Sequence, residues 1–170
     1  YLTTWAAEAV FLDPAALRTR AIAHARNGLR PQDGRLTQRE RALPLRDRII
    51  ILQIESFDAA LLGMEIRGRE VTPNMNRIRR RAMHWIVQAP KGMGSSDADF
   101  KALMTRPPSA DLPTYKIPEY PYGGALPERL AGVGYQALAL HGVTGEFFNR
   151  RSAYSKMGFS DLIFREEFIA

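Results

Sequence analysis

The run Ile49-Ile50-Ile51-Leu52-Gln53-Ile54 constrains the fold more than any other feature of this sequence. Six residues, four of them β-branched, are too few for a helix of ordinary length. They suit a strand buried on both faces of a parallel sheet. The run stops at Glu55-Ser56-Phe57-Asp58, and a helical pattern opens at Pro73 with Thr72 as its expected cap. Met83 to Ala89 is a second strand candidate, followed by a helix from Ser96 in which Asp99 stands three residues on, as in a capping box. Tyr135 to Leu140 is a third strand, and Leu162-Ile163-Phe164 a fourth. Helices are expected over 126–131 and from Glu146 to Met157, with Phe147 and Phe148 as core residues. Strands alternating with helices predict an α/β layer structure with a mainly parallel sheet flanked by helices.

Residues 1–47 read differently. Asp13-Pro14 suits a helix start. Asn27 to Pro44 is polar, Arg-rich and broken by Gly and Pro, as expected of a connecting arm. The boundary is therefore placed between a connecting segment (1–47) and a domain (48–170). Arg106 to Pro121 holds five prolines and reads as a loop.

Composition narrows the chemistry. The 170 residues include no cysteine, which excludes disulfides, a thiolate nucleophile and a cysteine metal cage. No apolar run reaches membrane-spanning length. The first residue is Tyr1 and no signal peptide is visible, so the sequence is expected to be a piece of a longer chain. A net charge of +6 favours anionic partners. Nine arginines crowd the first fifty residues, but no RNA-binding signature or aromatic-interleaved basic stripe accompanies them, so nucleic acid is not an expected partner.

Three polar clusters fall at the carboxyl ends of the expected strands, where open parallel sheets gather their ligands. They are Glu55-Ser56, Gly92 to Asp97, and His141-Gly142. A carboxylate after a buried strand calls for a cation or a metal, although a salt bridge or helix cap would also serve. The Gly-rich turn running into Ser95 and Ser96 suits an anion at a helix mouth. Taken alone, two serines that merely cap the helix are the favoured reading. His141 could bind a metal or an anion, or lie satisfied in the core. Arg150 offers a planar fork for phosphate or carboxylate, or an ordinary exposed helix arginine.

Taken together, IIILQIESFDAALLG (49–63), EVTPNMNRI (70–78), GMGSSDADFKAL (92–103), LPERLAGVGYQALALHG (126–142) and FFNRRSAYSKMGF (147–159) resemble lipoteichoic acid synthase and related phosphoglycerol transferases. These form part of the sulfatase-like branch of the alkaline phosphatase superfamily. The resemblance covers about residues 48–168. It implies that Glu55 is a metal ligand and that Ser95 is both nucleophile and metal ligand, a serine where the family has threonine. It places substrate binding on His141, Phe148 and Arg150, with Phe148 standing where the family has tryptophan.

The implied cofactor is Mn²⁺ or Mg²⁺. The implied partners are an anionic phospholipid headgroup and a glycan or polymer acceptor, at a bacterial cell membrane, with the domain facing the periplasm or exterior. Membrane attachment would come through segments absent from this chain. The family completes its metal site with an Asp-His pair that this sequence lacks, so the resemblance implies the amino-terminal half of the catalytic domain, weak in metal binding alone. Other sulfatase-like phosphodiesterases, phosphoethanolamine transferases or hydrolases share the pattern. A non-catalytic module binding acidic envelope polymers through the Arg-rich segment is a further alternative.

Overall fold

A computed structural model describes residues 14–28, 48–85 and 94–169. The expected arm over 27–44 lies almost wholly outside them, as does most of the second strand candidate. The elements are α1 (Pro14–Gly28), the hairpin β1 (Glu65–Ile66) and β2 (Arg69–Glu70), α2 (Pro73–Arg81), α3 (Ser95–Met104), α4 (Leu126–Ala131), β3 (Leu138–Leu140), α5 (Arg150–Lys156), β4 (Asp161–Ile163) and α6 (Arg165–Phe168). The protein is α/β, with short strands in two small sheets. The chain divides into two compact units, residues 46–90 and residues 1–45 with 91–170.

In the larger unit the core is mainly aromatic. Phe100, Leu103 and Met104 of α3 face Tyr115, Ile117, Tyr120 and Tyr122, with Tyr154 and Met157 from the α5 region and Phe164 after β4. Phe100 meets Tyr115, Tyr120 and Tyr122 edge-on, at centroid distances of 6.2, 5.3 and 6.5 Å, the geometry that ring quadrupoles favour. Ala21 of α1 is buried in the same core, and Arg20 forms an ion pair with Asp111.

The proline-rich segment is thus a core-bearing loop. Its prolines stop a helix, while the tyrosines between them turn inward around a 3₁₀ turn at Thr114–Lys116. Arg106 ties its far end by donating from Nη2 to the carbonyls of Pro121 (3.0 Å) and Gly123 (3.2 Å).

β3 and β4 pair in parallel, Leu138 opposite Asp161 and Leu140 opposite Ile163, and α5 lies in the connection between them. The His141 N–H extends the ladder to the Ile163 carbonyl at 2.9 Å. Gly158, with φ +89°, closes this connection. A Cβ there would stand 2.9 Å from the Glu128 Cα, because the first turn of α4 approaches closely enough for the Glu128 N–H to reach the Met157 carbonyl.

The unit of residues 46–90 is organised by α2. Asn76 is buried, and its Oδ1 accepts the Gly63 N–H at 2.9 Å. Thr72 does not cap the helix with its side chain; its hydroxyl donates to the Leu61 carbonyl at 2.9 Å instead. These bonds hold the turn at 59–63 against the helix.

The buried strand expected at 49–54 is not formed. The run has no regular secondary structure and no ladder partner among the described residues, and Ile50 and Leu52 are 86% and 80% exposed. β-Branched residues favour extended backbone, but a buried strand also needs neighbours for its edges and faces. Among the described residues of this unit the hairpin pairs only with itself.

Candidate functional site

Ser95 opens α3. Gly94 precedes it at φ 122°, ψ −167°, a conformation that glycine adopts readily and that turns the chain into the helix. Ser95 is half-buried and Ser96 fully buried; among the described residues the Ser96 Oγ has no hydrogen-bond partner. The expected capping box is absent, since Gly94 occupies the cap and neither serine caps through its side chain.

Asp99 therefore does something else. One helical turn beyond Ser95, it shares a face with Ser96 and Leu103, and all three are buried. Its Oδ2 accepts from the hydroxyls of Tyr115 (3.1 Å) and Tyr154, and the Arg150 Nε stands 3.8 Å away. His141 lies within electrostatic reach of the same carboxylate. Burial pushes the Asp99 pKa up, outweighing the opposing pull of the tyrosine hydroxyls, Arg150 and His141. Burial also raises Tyr115 and Tyr154, and the neighbouring carboxylate pushes both in the same direction. Two residues earlier, the Asp97 carboxylate accepts from the backbone N–H and hydroxyl of Thr114, both at 3.3 Å, which fixes the tyrosine-bearing loop to α3.

The expected helix over 146–157 is broken at its start. Phe147–Asn149 form a 3₁₀ turn in which Phe148 (φ 57°, ψ 21°) and Asn149 (φ 58°, ψ 32°) are both left-handed, and α5 begins only at Arg150. A left-handed phenylalanine is sterically costly and persists only where its surroundings hold it. Asn149 supplies part of that restraint by donating from its amide to the Tyr115 carbonyl at 2.9 Å. Phe147 is exposed rather than in the core, against the expectation for it. Phe148 is half-buried and meets Phe147 at 4.8 Å, with the Lys116 ammonium 5.1 Å from its ring centre.

Arg150 is only 2% exposed. Its guanidinium stacks against Phe147 and Phe148 at 5.8 and 5.7 Å, and its Nη1 donates to the Phe147 carbonyl at 3.5 Å. Among the described residues the Nε has no hydrogen-bond partner, and Asp99 is its ionic neighbour. His141 is half-buried at the end of β3, accepts the Val143 N–H on Nδ1 at 3.2 Å, and lies 6.4 Å from the Phe164 ring.

Ser95, His141, Phe148 and Arg150 thus share the larger unit, and α3 carries the carboxylate that engages Arg150. Glu55 belongs to the other unit. It is exposed, and its neighbour Ser56 is left-handed at φ 56°. The argument that a buried strand end forces a counter-ion onto Glu55 therefore fails, because the run before it faces solvent.

Among the described residues no group of three or more His, Asp or Glu side chains is placed to hold a metal ion. The two oxygen donors implied by the resemblance belong to different units, Glu55 to residues 46–90 and Ser95 to the larger one. Among the same residues no helix is long and apolar enough to cross a membrane.

Sequence reasoning missed the Asp99, Tyr115 and Tyr154 cluster. The available signal was an acid at the spacing of the apolar stripe, with Leu103 four residues later. Comparison of the chain with protein-family models, curated proteins and solved structures finds no match.

Proposed function

We propose that the chain is the amino-terminal part of a phosphoglycerol transferase catalytic domain, built on the mainly parallel sheet that the sequence pattern implies. The observation that supports this reading is the meeting of segments around Asp99. The helix opened by Ser95 engages Arg150, and His141 acts on the same carboxylate, although these residues are far apart in sequence. The strained backbone at Phe148 and Asn149 adds support, since such conformations concentrate at functional sites.

Ser95 is the nucleophile in this reading. Its hydroxyl oxygen attacks the phosphorus of a phosphatidylglycerol-type lipid. The bond from phosphorus to the diacylglycerol oxygen breaks, and the serine proton ends on that leaving oxygen. An acceptor hydroxyl on an envelope glycan or polymer then attacks the glycerophospho-serine, which returns the proton to Ser95. The amide groups at the start of α3 favour negative charge developing there. Phe148 and His141 would contact the headgroup, and Arg150 holds the helix in place through Asp99.

The test is release of diacylglycerol from phosphatidylglycerol by a protein containing this chain together with an Asp-His-bearing remainder, in buffer containing Mn²⁺ or Mg²⁺. Ser95→Ala is expected to abolish release, and mass spectrometry of the Ser95 peptide to show a trapped glycerophosphate. A phosphoethanolamine adduct would assign the neighbouring transferase class. Full turnover by Ser95→Ala would remove the nucleophile assignment.

A further inference from the structure

The helix α2 buries one side and presents the other. Thr72, Met75, Asn76 and Arg79 lie on the inward side, whereas Asn74, Arg77, Ile78 and Arg81 are exposed. The helix carries four arginines and no acid. Among the described residues only Arg80 of this helix forms an ion pair, with Glu70 at 2.9 Å, which ties the hairpin to the helix. Arg67 and Arg69 of that hairpin are exposed as well. Across residues 48–85, seven arginines stand against four acidic residues.

Apolar side chains accompany this charge. Ile78 sits between Arg77 and Arg79. Just beyond the helix, Met83 is 83% and Trp85 75% exposed. A site for a soluble polyanion needs the arginines but gains nothing from a neighbouring tryptophan, methionine and isoleucine held in water. Arginines beside a tryptophan and aliphatic side chains match the interface of an anionic bilayer, where headgroups meet the start of the acyl chains.

We infer that the outward face of α2, with Met83 and Trp85, docks onto an anionic phospholipid surface. The arginines supply attraction to the headgroups, and Trp85, Met83 and Ile78 enter the interfacial layer. This surface is independent of the transfer chemistry, and its test requires no turnover.

The test is binding of the full chain to phosphatidylglycerol–phosphatidylcholine vesicles, read by co-sedimentation and by the fluorescence of Trp85 in a Trp5→Phe background. Binding is expected to raise and blue-shift the emission and to weaken with salt. Each arginine removed should weaken partitioning about fivefold, so Arg77→Gln with Arg81→Gln should cost about twentyfold or more. Arg18→Gln with Arg26→Gln, on α1 of the other unit, should change binding less than about twofold, because the proposal gives α1 no part in docking. Trp85→Ala should weaken binding without changing its salt dependence.

Three outcomes would overturn the proposal. One is equal binding to pure phosphatidylcholine vesicles. Another is unchanged binding by the Arg77/Arg81 variant with its circular dichroism intact. The third is binding to soluble polyphosphate or duplex DNA as tight as to vesicles, with no shift of Trp85 emission, which would assign the surface to a polyanion instead.

Discussion

Replacing Arg150 with methionine tests whether the sequence-expected substrate ligand is bound into the core. The guanidinium stands 3.8 Å from Asp99 with 3% of its side chain exposed, and the carboxylate side chain is 10% exposed. At that separation the attraction is about 4 kcal/mol for an effective dielectric constant of about 20. Desolvation of both groups offsets much of it, so the intact pair adds little net stability. Arg150→Met alone removes the attraction but keeps the buried carboxylate, and should cost about 3–5 kcal/mol at neutral pH. Asp99→Asn alone strands the cation in the same way.

The double variant should recover about 1–3 kcal/mol relative to the sum of the single costs. Urea unfolding followed by near-ultraviolet circular dichroism of the tyrosine core measures all four proteins. The pH dependence supplies a second readout. Burial raises the Asp99 pKa in the folded state above its unfolded value near 4, so the folded chain holds that proton more tightly. The stabilising contribution of the neutral carboxyl is complete below that value and is lost as pH rises through the folded pKa. Arg150→Met removes a group that favours the charged carboxylate, which moves the folded pKa higher still. At low pH the carboxyl is neutral in both proteins, so the cost of the substitution should shrink as pH falls from about 7 to about 4. Additive single costs within about 0.5 kcal/mol, or a cost independent of pH, would refute the coupling.

Burial also raises Tyr115, Tyr120, Tyr122 and Tyr154, so their contribution holds below about pH 10 and is lost above it; absorbance titration should show them ionising together with unfolding rather than in a separate earlier step. Gly158→Ala should destabilise the larger unit by at least about 1 kcal/mol, since it adds a positive-φ penalty to a clash with the Glu128 backbone; thermal unfolding measures it. Asn76→Ala should cost the unit of residues 46–90 about 1–3 kcal/mol by leaving the Gly63 N–H without its acceptor, and amide exchange at Gly63 should accelerate.

Legibility in the sequence followed the range of the forces involved. The helix at 126–131 and the start of α2 carry their own Pro signals at the first turn, and both elements form where those signals stand. The third and fourth strands are present over three residues each, at 138–140 and 161–163. The run at 49–54 has stronger strand propensity than either, yet it forms no ladder among the described residues, because pairing depends on a partner that local composition does not specify. The break after Glu146 was equally hidden. Nothing in Phe147-Phe148-Asn149 forbids a helix. Part of the restraint on the left-handed pair is the hydrogen bond from Asn149 to Tyr115, thirty-four positions away.

The same distinction explains which parts of the site were legible. Ser95 and His141 stand out in sequence because their side chains carry chemistry at expected element ends, and Arg150 because its planar fork suits an anion. Asp99 does not, because its role depends on two tyrosines from separate segments and an arginine across the core. That dependence gives the cluster a positioning role. Asp99 ties the Ser95 helix to Tyr115 and to Tyr154 and Arg150 of α5, the helix that follows Phe148 and precedes His141's partner strand. A perturbation at Tyr154 should therefore reach Ser95 through α3 without touching substrate. In the proposed transferase, Tyr154→Phe should lower the rate of diacylglycerol release more than it weakens lipid binding, since it removes a donor from Asp99 while leaving the headgroup contacts of Phe148 and His141 in place. Equal losses in both would assign the tyrosine to binding rather than to positioning.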